Sequence, residues 1–332
     1  MMQQIANDIN KMKRSLLRIY LCGHVALKLV SGDRLQRESR SWLTPPDPSP
    51  NYNIACEIHQ DGTATWFCEG SVFAKWKAEG FLLWIHGKRE FPTLVRRRPR
   101  LMTFAAAGSG KTILMYVASH HLRLWILTHS YRSAIIGEID KMRKAGLALL
   151  AYFFFDFRDA QKQHRRDLIS SLLFQLSARS DACHHIFSRF YLDHDEGAHQ
   201  PSDDALSQCL TDMLKVERQP ATYIIIDALD ESPNISGMPT AREKVLQFLE
   251  DLTCLELPNV HICVSSRPEI DIRSILESLT QFRVSLHEES GQMTDISGYI
   301  KAVVQSDRRM RRWTAENKHL VITTLTEKAD GM

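Results

Sequence analysis

A short glycine-rich segment, Gly108-Ser109-Gly110-Lys111-Thr112, carries the residue types that bind phosphate in proteins. Its glycines allow backbone N–H groups to close around a β-phosphate, Lys111 can reach the β- and γ-phosphates, and the Thr112 hydroxyl can hold Mg²⁺. A helix that begins near Thr112 adds the positive end of its dipole. The complete pattern has a glycine where this chain has Ala105, so a flexible Gly-Ser loop before a helix is the alternative interpretation.

Three carboxylates follow an apolar run of strand length. Residues 223–226 (YIII) lead directly into Asp227, and Asp230 and Glu231 come next. At the end of a strand, Asp227 can join the ligand shell of Mg²⁺, and Asp230 or Glu231 can polarise an attacking water. The alternative is an exposed acidic turn, because residues 232–234 (SPN) follow. The functional interpretation is favoured because ligands bind at the carboxyl ends of the strands in such sheets.

Another apolar run, residues 261–264, ends in two serines and then Arg267. An arginine at this point would lie near a γ-phosphate and sense the state of the nucleotide. Taken alone, a surface arginine at a strand end is the simpler interpretation. The order of the three motifs, each at the end of an apolar run, favours the functional one, because it brings them to one edge of one sheet.

The elements that must position these residues alternate along the chain. Continuous apolar runs predict strands of a parallel sheet that is covered on both faces, at residues 81–85, 147–155, 223–226, 260–264 and 282–286. Apolar residues at helical spacing predict helices around residues 168–176, 206–214 and 245–252. Ser202 is placed to cap the second of these helices. Strands that alternate with helices indicate βαβ units and a doubly wound sheet.

The composition is that of an ordinary globular protein, with 44% hydrophobic and 24% charged residues. A net charge of +3 is too small to indicate nucleic-acid binding, and the arginine-rich stretch at 96–100 is interpreted as a solvated insert. The seven cysteines form no CxxC pair, so neither a zinc site nor a disulfide framework is indicated, and a cytoplasmic location is expected. No apolar run is long enough to span a membrane.

Together these segments resemble the fungal NACHT proteins, P-loop NTPases of the STAND (NLR-like) signalling class whose NTPase region is also described as nephrocystin-like. The resemblance runs from Trp42 to the end of the chain. It is carried by Trp66, residues 81–87, the loop at 108–112, the YFFFDFRD segment at 152–159, the DALDE box at 227–231 and the SSRPE turn at 265–269. It implies an ATP- or GTP-driven switch, usually followed by helical and winged-helix regions and then by ankyrin, TPR or WD repeats.

The phosphate loop departs from the family pattern. In the family the first strand runs directly into a GKPGSGKT loop, which makes Gly87 the first loop glycine. Here residues 89–106 separate Gly87 from the rest of the motif, and residues 115–132 form a second segment without a family counterpart. We interpret both segments as translated introns, because their codons can hold splice donor and acceptor signals and their lengths keep the reading frame.

If both segments are retained in the protein, the phosphate loop no longer follows directly the rigid strand that would hold it in position. Residues 101–104 could replace that strand and lead into the loop through Ala105. An alanine in the glycine position would cost about 1 kcal/mol if the backbone there must adopt a positive φ.

We therefore predict an α/β P-loop NTPase fold, a mostly parallel sheet with helices on both faces, preceded by a helical N-terminal segment. Residues 1–50 are assigned to that segment and to a proline-rich linker at 44–50. Residues 51–290 are assigned to a NACHT-type domain that includes the two inserts, and residues 291–332 to the start of a truncated helical domain.

The predicted function is a nucleotide-binding switch that binds ATP or GTP with Mg²⁺ and hydrolyses it slowly to control oligomerisation. The predicted nucleotide-binding residues are Gly87, Gly108, Ser109, Gly110, Lys111 and Thr112. Thr112 and Asp227 are the predicted Mg²⁺ ligands, and Asp230, Glu231 and Arg267 the predicted catalytic residues. Expected partners are the nucleotide and, through repeats beyond this chain, other copies or other proteins, with neither nucleic acid nor membrane. The alternative is a degenerate, non-hydrolysing interaction module with a disrupted phosphate loop.

Overall fold

The computed structural model describes residues 37–58, 64–87, 133–235, 237–286, 290–306 and 310–330. The predicted phosphate loop at 108–112 and the two inserts, at 89–106 and 115–132, lie outside the described residues. In chain order the described helices are α1 (37–43), α2 (Ser49–Ile58), α3 (Thr65–Cys68), α4 (Ser71–Glu79), α5 (133–144), α6 (Arg165–Ser177), α7 (Asp181–Leu192), α8 (Asp203–Leu214), α9 (Ala241–Thr253), α10 (Ile270–Leu279), α11 (Ser290–Ser306) and α12 (Ala315–Asp330).

Within the described residues the sheet has five strands, all paired in parallel, in the spatial order β2-β3-β4-β1-β5. The strands are β1 (Leu82–His86), β2 (Ala148–Phe154), β3 (Ala221–Asp227), β4 (Val260–Ser266) and β5 (Phe282–Ser285). Each of the five predicted apolar runs forms one of these strands. The α/β fold class with a parallel sheet is therefore confirmed.

The connections change direction between two neighbouring strands, β1 and β4. From β1 the chain goes to β2 at one edge of the sheet, whereas from β4 it passes β1 to reach β5 at the other edge. Right-handed crossovers in opposite directions place their helices on opposite faces of the sheet. The carboxyl ends of β1 and β4 therefore form the topological switch point, which is where such sheets bind ligands.

Helices cover both faces of the sheet, and alternate strand residues supply the two cores. Ile224 and Ile226 of β3 lie in a core with the apolar sides of α6 to α10. Tyr223 and Ile225 face the opposite way, into a core with residues of α3, α4 and α5. This arrangement explains why every residue of β2 and six of the seven residues of β3 are buried.

The predicted helices around residues 168–176, 206–214 and 245–252 correspond to α6, α8 and α9. Ser202 caps α8 as predicted, because its Oγ accepts a hydrogen bond from the N–H of Ala205 at 3.1 Å. Thr240 and Glu243 form a reciprocal capping box at the start of α9, which fixes where that helix begins.

The proline-rich stretch packs on the sheet domain. Trp42 and Leu43 are buried in the same core as α6 to α10. The indole Nε1 of Trp42 donates to the carbonyl of His199 at 2.9 Å, and Ser171 of α6 donates to the carbonyl of Pro46 at 3.1 Å. The segment before β1 is therefore held against the helical layer by buried aromatic surface and by hydrogen bonds.

Edge strand β2 is partly capped by a side chain. The amide of Gln175 accepts from the N–H of Tyr152 at 3.1 Å and donates to its carbonyl at 2.8 Å, as a neighbouring strand would. Such coverage blocks pairing with another strand at this position.

The last two helices, α11 and α12, share a small apolar core. None of the described helices combines the length and apolar character that crossing a membrane requires.

Candidate functional site

The strand ends that carry the predicted site residues lie at one edge of the sheet. Ile226 of β3 pairs with Val264 of β4, so the next residues, Asp227 and Ser265, lie level with one another. Ser265 in turn pairs with Ile85 of β1. The structure therefore brings the acidic segment after β3 and the turn after β4 together, beside the end of β1.

Among the predicted site residues that the structure describes, Asp227 is the most deeply buried, with 1% of its surface exposed. The hydroxyl of Ser265 donates a short hydrogen bond to Asp227 Oδ1, and it accepts one from the N–H of Ala228 at 3.3 Å. A buried carboxylate is costly unless it is hydrogen-bonded, so this hydroxyl stabilises its position.

A sharp turn follows Asp227 and determines where the carboxylates of Asp230 and Glu231 lie. Ala228 adopts a left-handed conformation with φ of 54°, which is uncommon for a residue other than glycine. Leu229 begins a short 3₁₀ turn that ends at Glu231, and its side chain is fully buried in the core. Burial of Leu229 thus anchors the turn while Asp230 and Glu231 stay at the sheet edge.

Asp230 and Arg267 form a pair between the two turns. The carboxylate of Asp230 accepts the backbone N–H of Arg267 at 3.0 Å and lies 3.4 Å from its guanidinium Nε. Only 11% of the Asp230 side chain is exposed, against 51% for Arg267. The arginine therefore combines an anchored backbone with an accessible guanidinium.

Glu231 has a different environment. Its Oε2 accepts the backbone N–H of Phe157, in the turn after β2, at 3.2 Å. Burial raises the pKa of Glu231 to about 7, and the nearby carboxylates of Asp230, Asp227 and Asp156 add to that increase. Asp156 itself has a lowered pKa because it binds Arg158, burial acting in the opposite direction. The proton of the Glu231 carboxyl group can therefore leave near neutral pH.

A buried arginine that sequence reasoning did not single out lies behind this edge. Arg242, in the first turn of α9, is 5% exposed. Its guanidinium donates to the backbone carbonyls of Asp230 and Ser232 and to the carboxylates of Glu269 and Asp271. Hydrophobic periodicity gives no signal for such a residue, because an arginine on an amphipathic helix is expected on the solvent side.

Gly87 follows β1 at the switch point. Apart from Gly87 itself and its chain neighbours, no atom of the described residues lies within 4 Å of the place that a Cβ would occupy there. The other predicted phosphate-binding residues, Gly108 to Thr112, lie outside the described residues, so their position relative to Asp227 stays a prediction. Phe157 and Ser265 were also missed as functional contacts, since a backbone N–H and a strand serine carry no sequence signal of their own.

The described residues fit a Mg²⁺ ion only in part. Asp227 offers the oxygen donor that a hard cation prefers. Within the described ranges, no group of three or more His, Cys, Asp and Glu side chains is arranged to hold a metal ion. Because Mg²⁺ usually keeps several waters and binds few carboxylates together with phosphate oxygens, this edge fits an ion that arrives with a phosphate.

Comparison with known proteins identifies the chain by family. No curated protein matches it. Residues 95–267 match the family described as Nephrocystin 3, N-terminal. The match begins inside the first insert, spans the second and ends at Arg267, a narrower range than the resemblance from Trp42 onwards. Because it covers more than half of the 332 residues, the chain belongs to the family of nephrocystin 3 N-terminal domains.

Proposed function

We propose that this chain is a nucleotide-binding switch of the NACHT class, which binds ATP or GTP with Mg²⁺ and hydrolyses it slowly to control self-association. The observation that carries the proposal is the meeting of two turns at the carboxyl edge of a parallel sheet, beside the switch point between β1 and β4. The acidic turn at 227–231 lies beside the Ser265–Arg267 turn at the carboxyl ends of β3 and β4. Open α/β sheets bind nucleotides at this place.

Each residue of the proposed site has a distinct task. Lys111 and the backbone of the segment at 108–110, continued from Gly87, bind the phosphates. Thr112 and Asp227 hold Mg²⁺, which neutralises charge that develops on the phosphates. The hydrogen bond from Ser265 fixes the orientation of the Asp227 carboxylate.

Glu231 is the stronger candidate for the group that prepares the attacking water. A general base works best when its pKa lies near the working pH, and the pKa of Glu231 is raised to about 7. Asp230 is occupied instead, because its carboxylate binds both the backbone and the guanidinium of Arg267. These two environments support Glu231 over Asp230, the two carboxylates that the sequence left as alternatives.

Arg267 is the proposed sensor of the γ-phosphate. Its guanidinium is half exposed and is paired with Asp230 at 3.4 Å. A γ-phosphate offers more charge than a carboxylate and can take over this arginine. When the γ-phosphate is lost, Arg267 pairs with Asp230 again. The turn after β4 therefore has two arrangements, one with Arg267 bound to phosphate and one with Arg267 bound to Asp230.

A thermal-shift titration with Mg-ATP and Mg-GTP tests the proposal. A ligand that binds the native state stabilises it by RT ln(1 + [L]/Kd), or about 2.7 kcal/mol at a hundredfold excess over Kd. We expect one or both nucleotides to raise the melting temperature of the wild type and not that of Lys111→Ala. Equal shifts in the two proteins, or no shift in the wild type, would refute nucleotide binding at this loop.

A second candidate is a non-hydrolysing interaction module. The interruption of the phosphate loop by residues 89–106 and 115–132 favours it. Sequencing the mature transcript across the codons for residues 88–135 separates the two candidates. Removal of both segments restores a GKxGSGKT loop and supports the switch, whereas their retention favours the interaction module.

A further inference from the structure

A buried guanidinium connects the two turns of the candidate site from behind. Arg242 Nε donates to the carbonyl of Ser232 at 3.0 Å, and Nη2 donates to the carbonyl of Asp230. Its Nη1 donates to Glu269 and, at 3.2 Å, to Asp271. One side chain therefore holds the backbone of the acidic turn and two carboxylates that follow the arginine turn.

Further hydrogen bonds close this arrangement into a ring. Asp230, whose carbonyl accepts from Arg242, uses its carboxylate to accept the N–H of Arg267. The carbonyl of Arg267 accepts the N–H of Glu269, whose carboxylate returns to Arg242. Displacement of Arg242 would therefore remove the hydrogen bonds that connect the acidic turn to the residues after Arg267.

The acidic partners explain how a guanidinium can be buried here. The Arg242 side chain is 6% exposed, and it contacts the carboxylates of Glu269 and Asp271, whose side chains are 44% and 28% exposed. A buried charge is costly unless it is paired and hydrogen-bonded, so these two carboxylates and the two carbonyls hold Arg242 in place. A lysine keeps the charge but has no planar fork, so it cannot reach carbonyls and carboxylates in several directions at once.

We propose that Arg242 is a positioning residue that fixes the acidic turn carrying Asp230 and Glu231 against the turn carrying Arg267. Its link to catalysis rests on the function proposed above, whereas its effect on the two turns does not. Two backbone N–H groups report on this geometry without any nucleotide. The N–H of Phe157 donates to Glu231, and the N–H of Arg267 donates to Asp230.

Residue-resolved amide hydrogen exchange of the nucleotide-free full chain tests the positioning role. In Arg242→Met we expect the N–H groups of Phe157 and Arg267 to exchange at least about tenfold faster, as follows from the loss of hydrogen bonds to charged groups. Amides of β3 should keep their wild-type rates. Arg242→Lys should give a smaller increase at the same two positions.

Arg273→Met is the matched control. Arg273 also binds a carboxylate, that of Glu277 at 2.7 Å, and it lies on α10 without a hydrogen bond to the acidic turn. The proposal is overturned by unchanged exchange at Phe157 and Arg267 in Arg242→Met. It is equally overturned if the amides of β3 accelerate to the same degree, which would indicate general destabilisation, or if Arg273→Met has the same effect.

Nucleotide turnover then tests the link to catalysis. We expect Arg242→Lys to lower kcat by about tenfold or more while KM changes little, because the reacting groups and not the binding groups are displaced. An unchanged kcat combined with faster exchange would overturn the catalytic part of the inference. If the wild type itself neither binds nor hydrolyses nucleotide, the proposed function fails, and the exchange measurement still decides the positioning role.

Discussion

Strands β3 and β4 carry a pair of polar side chains at their amino ends and another pair at their carboxyl ends. The two pairs differ in their hydrogen-bond partners and in their charge. Towards the amino end, Tyr223 and His261 are register partners with stacked rings, 4.6 Å apart at 14°. His261 Nδ1 contacts the carbonyls of Gly80 at 2.6 Å and Trp76 at 3.0 Å, and the Tyr223 hydroxyl donates to the carbonyl of Lys77 at 3.1 Å. Burial lowers the pKa of His261, and the hydrogen bonds to these carbonyls act in the opposite direction.

At the carboxyl end the same two strands present charged groups in place of neutral ones. Asp227 is held by Ser265, while Asp230 and Glu231 follow within the same turn. The pKa of Glu231 is raised to about 7 by burial and by neighbouring carboxylates. One end is thus a closed structural cluster, and the other keeps a carboxylate in an unfavourable environment, as functional sites often do.

The largest effect should come from Glu231→Gln, which removes the proposed base and keeps the side-chain shape. We expect kcat for nucleotide hydrolysis to fall by about 100- to 10,000-fold, the usual contribution of a general base. Phosphate release under saturating Mg-nucleotide measures this. Nucleotide binding should be retained, and an unchanged kcat would show that Glu231 does not act as the base.

At the structural end, His261→Ala should reduce the free energy of unfolding by about 3 kcal/mol, because it leaves a cavity and two buried carbonyls without their donor. Urea denaturation measures the loss. We expect nucleotide to raise the melting temperature of this variant, relative to its own ligand-free form, by as much as it does in the wild type. A lost shift would contradict the separation of the two ends.

The pH dependence of stability tests the raised pKa of Glu231, at the carboxyl end of the two strands. A carboxyl group whose folded-state pKa is raised binds more protons in the folded state, so stability falls as pH rises between the ordinary glutamate pKa of 4.5 and about 7. Glu231→Gln should therefore be more stable than the wild type by about 3 kcal/mol at pH 8 and similar to it near pH 4.5. Equal stabilities at pH 8 would contradict the raised pKa.

The smallest effect is expected for Ser265→Ala, which removes the hydroxyl between the two turns. The loss of its hydrogen bond to Asp227 should reduce the free energy of unfolding by about 1 kcal/mol. We also expect weaker Mg-dependent nucleotide binding, because the Asp227 carboxylate loses its orientation. Denaturation and titration of the same preparation measure both effects, and stability loss without a change in affinity would assign Ser265 a structural role only.

The sequence predicted the strands well because their signal is local. A strand buried on both faces must be apolar along its length, and each predicted run falls on a strand of the structure. The places of Asp227, Asp230, Glu231 and Arg267 followed from those strand ends. The sequence could not separate Asp230 from Glu231, since that difference arises from the contact with Arg267 on one side and with Phe157 on the other.

Long-range contacts account for most of what was missed. Burial of Arg242 depends on carboxylates that lie 27 and 29 residues away along the chain. The packing of Trp42 depends on a partner 157 residues away. Neither separation leaves a periodic pattern in the sequence, so only the folded chain shows these contacts.

The most direct test of the central claim compares the two ends in one titration. The Mg²⁺-dependent affinity for ATP and GTP is measured calorimetrically for the wild type, Asp227→Asn and His261→Gln. We predict that Asp227→Asn abolishes the dependence of nucleotide affinity on Mg²⁺, while His261→Gln leaves that dependence intact. Wild-type behaviour in Asp227→Asn, or an equal loss in both variants, would contradict the assignment of the carboxyl end of β3 as the Mg-nucleotide site.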